Sequence, residues 1–271
     1  MSTVWLIASG KGGVGKSTLA AGLGVSLGRE GQRVCVVDAD LGLRNADMLL
    51  GLSDRVVYDL MDVAKSGCAP EQALIAVPGE EQVFLLPASQ FARAKDLDPK
   101  DFRHVIRGLR ESFDQILIDC PAGTERGLRG AMACEPDRTL VVATPDDVSL
   151  RDAEQLCGLI RKKELPGPQL LVNRLRPELI RTGEMISAAA AAAALDCPLL
   201  GEIPEDPLVY RALLRHLRVT DVDCAATRAF ARIAQRMCGG EVPLPDYGRR
   251  PEGWLRRLFR RAPKEVRILD H

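Results

Sequence analysis

The chain has 271 residues, of which 46% are hydrophobic, and this is enough for one α/β domain with a substantial core. Its 37 Lys and Arg residues balance 37 Asp and Glu residues, so the formal net charge is zero and no whole-molecule field favours nucleic acid. The charge is uneven, because residues 248–271 contain eight Lys or Arg and three Asp or Glu. The basic character is therefore concentrated in the C-terminal tail.

Short apolar runs alternate with helical patterns along the chain, and most of the runs lack polar alternation. Such runs are typical of parallel strands that are covered on both faces. The pattern therefore predicts a doubly wound, mostly parallel α/β sheet with helices on both faces. The predicted strands are Val4–Ala8, Val34–Asp38, Val83–Pro87, Gln115–Asp119, Thr139–Ala143, Gln169–Asn173 and Leu199–Ile203. The predicted helices are Ser17–Arg29, Pro99–Glu111, Ser149–Lys163, Glu184–Leu195, Pro207–His216 and Cys224–Met237.

A glycine-rich loop lies between the first strand and the first helix. It fits the pattern G-x-x-x-x-G-K-[S/T] at every fixed position, and its backbone N–H groups can surround phosphate oxygens. Lys16 supplies charge to the β- and γ-phosphates, and the Ser17 hydroxyl can bind Mg²⁺. The loop predicts a P-loop ATPase that uses ATP and Mg²⁺. The predicted nucleotide-binding residues in this loop are Gly10, Lys11, Gly12, Gly13, Val14, Gly15, Lys16, Ser17 and Thr18.

Three aspartates follow apolar strands near this loop. Asp38 and Asp40 come at the end of the second strand, and Asp119 ends the strand Gln115–Asp119. Buried carboxylates are costly unless they meet a metal, a cation or solvent. A single aspartate here is also explained by a helix N-cap. Three at the carboxyl ends of strands favour a metal site that includes Ser17, Asp38 and Asp119.

The remaining composition indicates an intracellular protein. The eight cysteines form no C-x-x-C pair, and several lie in apolar runs, which favours buried thiols in a reducing cytosol. No apolar run approaches the ~18–20 residues of a membrane span. The N-terminus enters a strand without a basic region before it, so we expect no signal peptide and a cytoplasmic location.

The C-terminal end is predicted to be separate from the globular domain. Seven of the fifteen residues in Gly239–Gly253 are Gly or Pro, which predicts a domain at 1–240, a linker at 241–253 and a tail at 254–271. In the tail, four apolar residues fall on one helical stripe, with four arginines opposite. This pattern favours a basic amphipathic membrane anchor over a terminal helix docked on its own core. The apolar residues are Trp254, Leu255, Leu258 and Phe259.

The loop contains a second lysine, Lys11, directly after Gly10. The sequence K-G-G-x-G-K-S resembles the deviant Walker A loop of the MinD/ParA family of ATPases. Further segments resemble the family in the same order over about residues 3–261. Residues 42–45 and 87–90 narrow the resemblance to the branch that places the division septum. The segments are Asp38–Asp47, Val56–Leu60, Leu86–Gln90, Asp119–Gly123, Ser149–Asp152, Val172–Arg174 and Ile203–Asp206.

The resemblance implies a role for several residues near the phosphates. Lys11 would reach across an ATP-dependent homodimer to the ATP of the partner. Asp40 would orient and deprotonate the attacking water, so Lys11, Lys16 and Asp40 are the predicted catalytic residues. Asp38 matches a switch I position near the magnesium, and Asp119 matches the Walker B aspartate.

The resemblance also implies a base site and a partner surface. Asn173 and Arg174 match the adenine-recognition position, although an ordinary turn asparagine also fits. Pro204 lies in the second adenine-side segment. A third set of residues matches a surface of the family that binds regulatory partners. A solvated helix cap is the alternative explanation for these residues. The Asp147-Val148 pair that precedes them also departs from the family pattern. That set is Ser149, Arg151 and Asp152.

The implied function is an ATP-hydrolysing membrane switch. The dimer would bind the anionic inner face of the cell membrane and recruit a septation inhibitor of the MinC type, and an activator of the MinE type would release it. A flagellar-number regulator and a ParA-like DNA-segregation ATPase are the alternatives. The first usually carries an N-terminal extension and the second a basic domain surface. We expect no specific binding to nucleic acid. A reductase of the nitrogenase iron-protein type is also disfavoured, because Cys120 and Cys134 do not match the pattern of the cysteines that bind its cluster.

Overall fold

The computed structural model describes residues 2–123, 132 and 134–247, and an eight-stranded sheet lies at its centre. The strands are β1 (Thr3–Ala8), β2 (Val34–Asp38), β3 (Ile75–Val77), β4 (Glu80–Leu86), β5 (Gln115–Asp119), β6 (Arg138–Ala143), β7 (Pro168–Leu175) and β8 (Leu199–Pro204). Their order across the sheet is β3-β4-β2-β5-β1-β6-β7-β8. Every neighbouring pair is parallel except β3 with β4, which is antiparallel. The predicted doubly wound, mostly parallel sheet is confirmed.

Helices of very different lengths connect the strands. The helices of the described residues are α1 (Lys16–Arg29), α2 (Ala46–Leu49), α3 (Leu60–Ala64), α4 (Pro70–Ala73), α5 (Pro99–Leu109), α6 (Asp147–Lys162), α7 (Pro177–Thr182), α8 (Ala188–Ala194), α9 (Pro207–Leu214) and α10 (Ala225–Met237). Short 3₁₀ turns occur at Ser53–Arg55, Ala94–Asp96 and Val219–Asp221. None of the helices within this described part combines the length and apolar character needed to cross a membrane.

The two faces of the sheet bury two separate apolar clusters. Along β1 the side chains alternate between them, with Leu6 in the first cluster and Ile7 in the second. The first cluster packs the sheet against α3, α5, α6 and α8, and the second packs it against α1, α2 and α10. Because both faces are covered, the strands can be apolar throughout, as their sequences are.

Some predicted element boundaries were wrong for local reasons. The helix predicted at Glu184–Leu195 begins at Ala188, because the Ser187 side chain accepts a hydrogen bond from the Ala190 amide and caps the helix there. Residues 184–187 are not helical, and the separate helix α7, which was not predicted, ends before them at Thr182. Strand β3 and helices α2, α3 and α4 were not predicted, since elements of three to five residues carry too little periodicity to be detected.

The first part of the predicted linker is in contact with the domain. Residues 241–247 form no helix or strand, but Arg236 on α10 donates to the carbonyls of Val242 at 2.7 Å and Pro243 at 2.8 Å. Tyr247 packs against the first apolar cluster. The predicted tail, residues 254–271, lies outside the described residues.

The core makes a stability prediction with a matched control. Phe102 on α5 is 1% exposed within the first cluster, whereas Phe91 is 95% exposed. Phe102→Ala should lower the free energy of unfolding by about 3–5 kcal/mol, because it removes buried apolar surface and leaves a cavity. Phe91→Ala should leave it within about 0.5 kcal/mol of wild type. Urea unfolding measures both, and equal effects would contradict the packing described.

Candidate nucleotide-binding site

The glycine-rich loop leaves β1 near the middle of the sheet and enters α1. Gly15 is the N-cap of α1 and has a φ of 92°, a left-handed conformation that residues with a Cβ rarely adopt. A Cβ at this position would also lie 2.6 Å from Asn173 Nδ2. The loop can therefore close against β7 and present the positive end of the α1 dipole, where an anion binds.

The start of the loop is held between α6 and the segment after β5. A Cβ on Gly10 would lie 2.6 Å from the carbonyl oxygen of Asp152, so only glycine lets the loop approach α6 this closely. On the other side, the Gly123 amide donates to the Ser9 carbonyl at 3.1 Å. The Ser9 hydroxyl donates to the Lys11 carbonyl at 3.0 Å. These contacts fix the loop shape before any ligand binds.

Lys16 and Asp119 form a buried ion pair beneath the loop. Lys16 Nζ donates to Asp119 Oδ1 at 2.6 Å, and the two side chains are 6% and 0% exposed. Burial disfavours the Lys16 ammonium, but the charge and hydrogen bond of Asp119 outweigh it and raise the pKa of Lys16. The Lys16 ammonium is therefore charged at neutral pH. Asp119 Oδ2 is also buried and has no hydrogen-bond partner among the described residues.

The other two predicted acids adjoin this pair. Asp38 on β2 is opposite Asp119 on β5 in the sheet register and is 0% exposed. Its carboxylate accepts from the Asp40 amide at 3.0 Å and the Ala46 amide at 3.1 Å. Burial, with the charge of Asp119, nevertheless raises the pKa of Asp38. Burial also raises the pKa of Asp40, while the charge of Lys16 acts against this rise.

Two neighbouring cavities surround the loop and share Gly15, Thr18 and Arg174. The first, of about 410 Å³, contains the phosphate loop and Asp40. The second, of about 290 Å³, is lined by Asn173 and Pro204, the two residues expected at the base site. Two adjoining cavities, one of them around a phosphate-binding loop, suit a ligand with the extended shape of a nucleotide. Sequence reasoning missed several residues that line them, namely Leu43, Asn45, Met48, Leu49 and Ala122 in the first and Tyr210 and Phe230 in the second.

Asn173 connects the two cavities. Its Nδ2 donates to the Val14 carbonyl at 2.8 Å, and its Oδ1 accepts from the Arg174 amide at 2.9 Å. A primary amide has two donor hydrogens and two acceptor lone pairs, so one of each remains. Asn173 therefore holds the phosphate loop against β7 and keeps one donor and one acceptor for a ligand in the second cavity.

Lys11 lies at the rim of the loop and points to α6. Its Nζ is 3.8 Å from Asp146 Oδ1, and both side chains are about half exposed, at 45% and 50%. Asp146 is also the N-cap of α6, accepting from the Ser149 amide at 3.0 Å. Sequence analysis did not identify Asp146 as a partner of Lys11.

The three residues of the predicted partner surface differ in their exposure. Ser149 is 2% exposed, and its hydroxyl accepts from the Thr144 amide at 2.9 Å. Arg151 is exposed and Asp152 is half-buried. Arg151 is thus the member of the set most available to a partner. The predicted membrane residues Trp254, Leu255, Leu258 and Phe259 lie outside the described residues.

Comparison with known proteins agrees with this geometry. The family description "CobQ/CobB/MinD/ParA nucleotide binding domain" matches residues 5–219. The septum site-determining protein MinD of Helicobacter pylori is 42% identical over 254 residues, which are 91% of this chain and 94% of that protein. MinD of Bacillus subtilis is 36% identical over 261 residues, 95% of this chain and 97% of that protein.

Solved structures show the same fold. The MinC:MinD cell division protein complex of Aquifex aeolicus has a TM-score of 0.84 at 35% identity, covering 92% of this chain and 100% of that chain. MinD of Pyrococcus horikoshii OT3, solved in complex with Mg-ADP, has a TM-score of 0.76 at 32% identity, covering 88% and 96%. By sequence and by structure, this chain belongs to the MinD/ParA family of nucleotide-binding proteins, within the group of MinD septum site-determining proteins.

Proposed function

We propose that this chain is an ATP-hydrolysing membrane switch that places the division septum. The observation that carries the proposal is the pair of lysines on one phosphate loop. Lys16 is buried against Asp119, and Lys11 is exposed at the rim of a cavity that continues into a base site. The MinD relatives support the septum role, and the Aquifex aeolicus complex supports a partner of the MinC type.

The site residues fit ATP with Mg²⁺. When bound, the metal neutralises charge on the phosphates. The Ser17 hydroxyl and the Asp119 carboxylate would hold it, and the unpartnered Asp119 Oδ2 supports this assignment. Asp38 is the second acid near the metal, held in place by its two backbone hydrogen bonds.

Lys16 changes partner when ATP binds. In the structure described here its ammonium is bound to Asp119, and the β- and γ-phosphates offer a stronger concentration of negative charge. Moving Lys16 to the phosphates leaves Asp119 free for the metal. The buried charges are thus compensated both before and after binding, as burial requires.

Asp40 positions the attacking water. It lines the phosphate cavity with Lys16 and Ser17, and it is half-buried rather than enclosed. The raised pKa of its carboxyl brings it closer to the range of a general base, because a base is most effective when its pKa approaches the working pH.

Lys11 acts in an ATP-dependent homodimer. Its ion pair with Asp146 is exposed, and such pairs contribute only about 0–1 kcal/mol, so a partner's phosphates can displace it. Two apolar side chains that line the same cavity are exposed, Leu43 at 63% and Met48 at 59%. A second copy of the chain would cover them.

The tail attaches the dimer to the inner face of the cell membrane. Burying Trp254, Leu255, Leu258 and Phe259 contributes about 1.5–3 kcal/mol each. Four arginines near an anionic surface add about 1 kcal/mol each. Ordering the helix costs about 1–2 kcal/mol per residue, which largely cancels these two favourable contributions. One tail alone therefore binds the membrane weakly. Two tails on one dimer bind about 10²–10⁴ times more tightly, which lets ATP control attachment through dimerisation. An activator of the MinE type would stimulate hydrolysis and so release the chain from the membrane.

Hydrolysis should depend on Asp40 and Lys16 for different reasons. Asp40→Ala should keep ATP binding and lower the turnover rate by about 10²–10⁴, because it removes the group that positions water. Lys16→Ala should lose both tight binding and turnover. Asp54→Ala, at an exposed position outside the site, is the control. Phosphate release and ATP titration measure these effects, and normal turnover in Asp40→Ala would remove that residue from its role.

Dimerisation should depend on Lys11. Lys11→Ala should bind ATP as a monomer but fail to dimerise, because the charge that reaches the second nucleotide is gone. Lys162→Ala, at the far end of α6, should dimerise normally. Size-exclusion chromatography with light scattering distinguishes the two, and an ATP-dependent Lys11→Ala dimer of unchanged affinity would contradict the proposal.

Membrane binding should depend on the apolar stripe of the tail. Trp254→Glu or Phe259→Glu should abolish ATP-dependent pelleting with anionic liposomes, because a charge replaces buried apolar surface, while nucleotide affinity stays unchanged. Ile268→Glu lies in the tail outside this stripe and is the matched control. If Trp254→Glu and Phe259→Glu pellet like wild type, the tail is not the anchor.

A further inference from the structure

Helix α9 and the turn after it expose apolar side chains that the described part of the chain leaves uncovered. Tyr210 is 67% exposed, Leu214 is 63% exposed and Leu217 is 45% exposed. Tyr210 and Leu214 are four residues apart, so they lie on one face of the helix. The Leu217 amide donates to the Ala212 carbonyl at 3.0 Å, which returns Leu217 to the last turn of the helix. Exposed apolar groups that cluster in this way indicate an interaction surface.

Two arginines accompany these apolar side chains. Arg211 and Arg215 are exposed and four residues apart, so they also share one face of the helix. Within residues 2–123, 132 and 134–247, no ion pair joins either guanidinium to a carboxylate. Residues 207–217 contain no Asp or Glu. The α9 surface, as we name it, consists of Tyr210, Arg211, Leu214, Arg215 and Leu217.

The carboxylates closest to α9 in the sequence already have partners. Glu205 pairs with Arg176, and Asp221 pairs with Arg218 at 3.0 Å. The Asp206 carboxylate caps the first turn of α9 by accepting from a backbone amide. The positive charge of the α9 surface is therefore not compensated by these neighbours, and it complements an anionic partner.

The α9 surface lies at the corner of the domain from which the tail departs. Tyr247, the last described residue, lines a cavity together with Ile180 of α7. The segments that precede α7 and α9 are in contact, because the Glu205 amide donates to the Leu175 carbonyl at 2.7 Å. Trp254 follows Tyr247 by seven positions, and a fully extended chain of that length spans at most about 25 Å. A membrane that holds the tail is therefore kept near this corner.

We propose that the α9 surface is a second membrane contact, which lies on anionic lipid while the tail is anchored. This inference rests on the proposed membrane switch. Apolar side chains beside arginines suit the interface of an anionic membrane, because the apolar groups enter the boundary of the acyl chains and the arginines meet lipid phosphates. Lipid is favoured over an acidic protein partner because the tail already brings an anionic membrane to this corner.

The other side of α9 faces the base cavity. Val209 and Leu213 line that cavity and pack against the second apolar cluster. One helix would thus contact the base on one side and lipid on the other. A contact on a rigid element fixes the orientation of the domain on the membrane, which a tail joined through a linker does not do. Tyr210 also lines the base cavity, so variants of α9 are better made at Leu214 and Arg215.

Quenching of tryptophan fluorescence by brominated lipid tests the contact directly. The full-length Leu214→Trp chain is mixed with ATP, Mg²⁺ and vesicles of phosphatidylglycerol and phosphatidylcholine that carry bromine on their acyl chains. It should lose more fluorescence than the wild-type chain, whose tryptophans are Trp5 and Trp254. Val57→Trp is the matched control, because Val57 is 80% exposed and lies before α3, toward the other edge of the sheet. Quenching in Leu214→Trp that is no larger than in Val57→Trp would overturn the proposal.

Titration with the same vesicles without bromine measures how much the α9 surface contributes. Leu214→Glu should weaken ATP-dependent binding by about 10–100-fold, the range that burial of one leucine accounts for. Arg215→Gln should weaken it by about fivefold, the effect of one arginine at an anionic surface. The controls Val57→Glu and Arg55→Gln, at exposed positions, should bind like wild type.

The outcomes separate this surface from the tail. If wild type binds the vesicles and Leu214→Glu binds them equally well, the α9 surface is not a membrane contact, while the tail can still be the anchor. If wild type itself does not bind, the proposed membrane switch and the α9 contact both fail. Light scattering with ATP and no vesicles should show a normal Leu214→Glu dimer. Loss of that dimer would make the α9 surface an interface between two copies of the chain and would overturn the proposal.

Discussion

The buried ion pair between Lys16 and Asp119 is the interaction on which the rest of the site depends. Removing one partner of a buried pair costs about 3–5 kcal/mol, because the other charge is left uncompensated. At 2.6 Å, with side chains that are 6% and 0% exposed, this pair is almost fully enclosed. Under the proposed function, Lys16 would leave Asp119 for another anion, and a ligand that brings phosphate charge into the cavity supplies one.

The sheet order explains why the functional residues meet at one place. Strand β1 has β5 on one side and β6 on the other, so the connections that follow diverge from the centre of the sheet. Such a point leaves a crevice at the carboxyl ends of the strands, where ligands bind in doubly wound folds. The phosphate loop after β1, Asp119 at the end of β5 and Asp146 after β6 all face this crevice.

Much of the fold and part of the site follow from local sequence patterns. The parallel strands are short apolar runs, and the phosphate loop is a contiguous motif, so both were predicted at nearly the observed positions. Strand β3 was missed because three residues carry too little periodicity to be detected.

Local sequence patterns do not predict which residues pair with each other inside the site. Lys16 and Asp119 are 103 positions apart, and Asn173 contacts Val14 across 159 positions. Each residue was selected as a candidate by its type and its place at a strand end. Its partner depends on strand order, which the apolar pattern does not specify. For the same reason, the Asp146 partner of Lys11 and the inward direction of the Ser149 hydroxyl emerged only from the fold.

We expect ATP to displace Lys16 from Asp119, and a crystal structure of the full-length chain with Mg²⁺ and a non-hydrolysable ATP analogue would show this. Lys16 Nζ should lie within hydrogen-bonding distance of the β- and γ-phosphates, its bond to Asp119 should be broken, and the base should occupy the cavity lined by Asn173 and Pro204. A bound nucleotide with the Lys16–Asp119 bond still at its present length would refute this displacement.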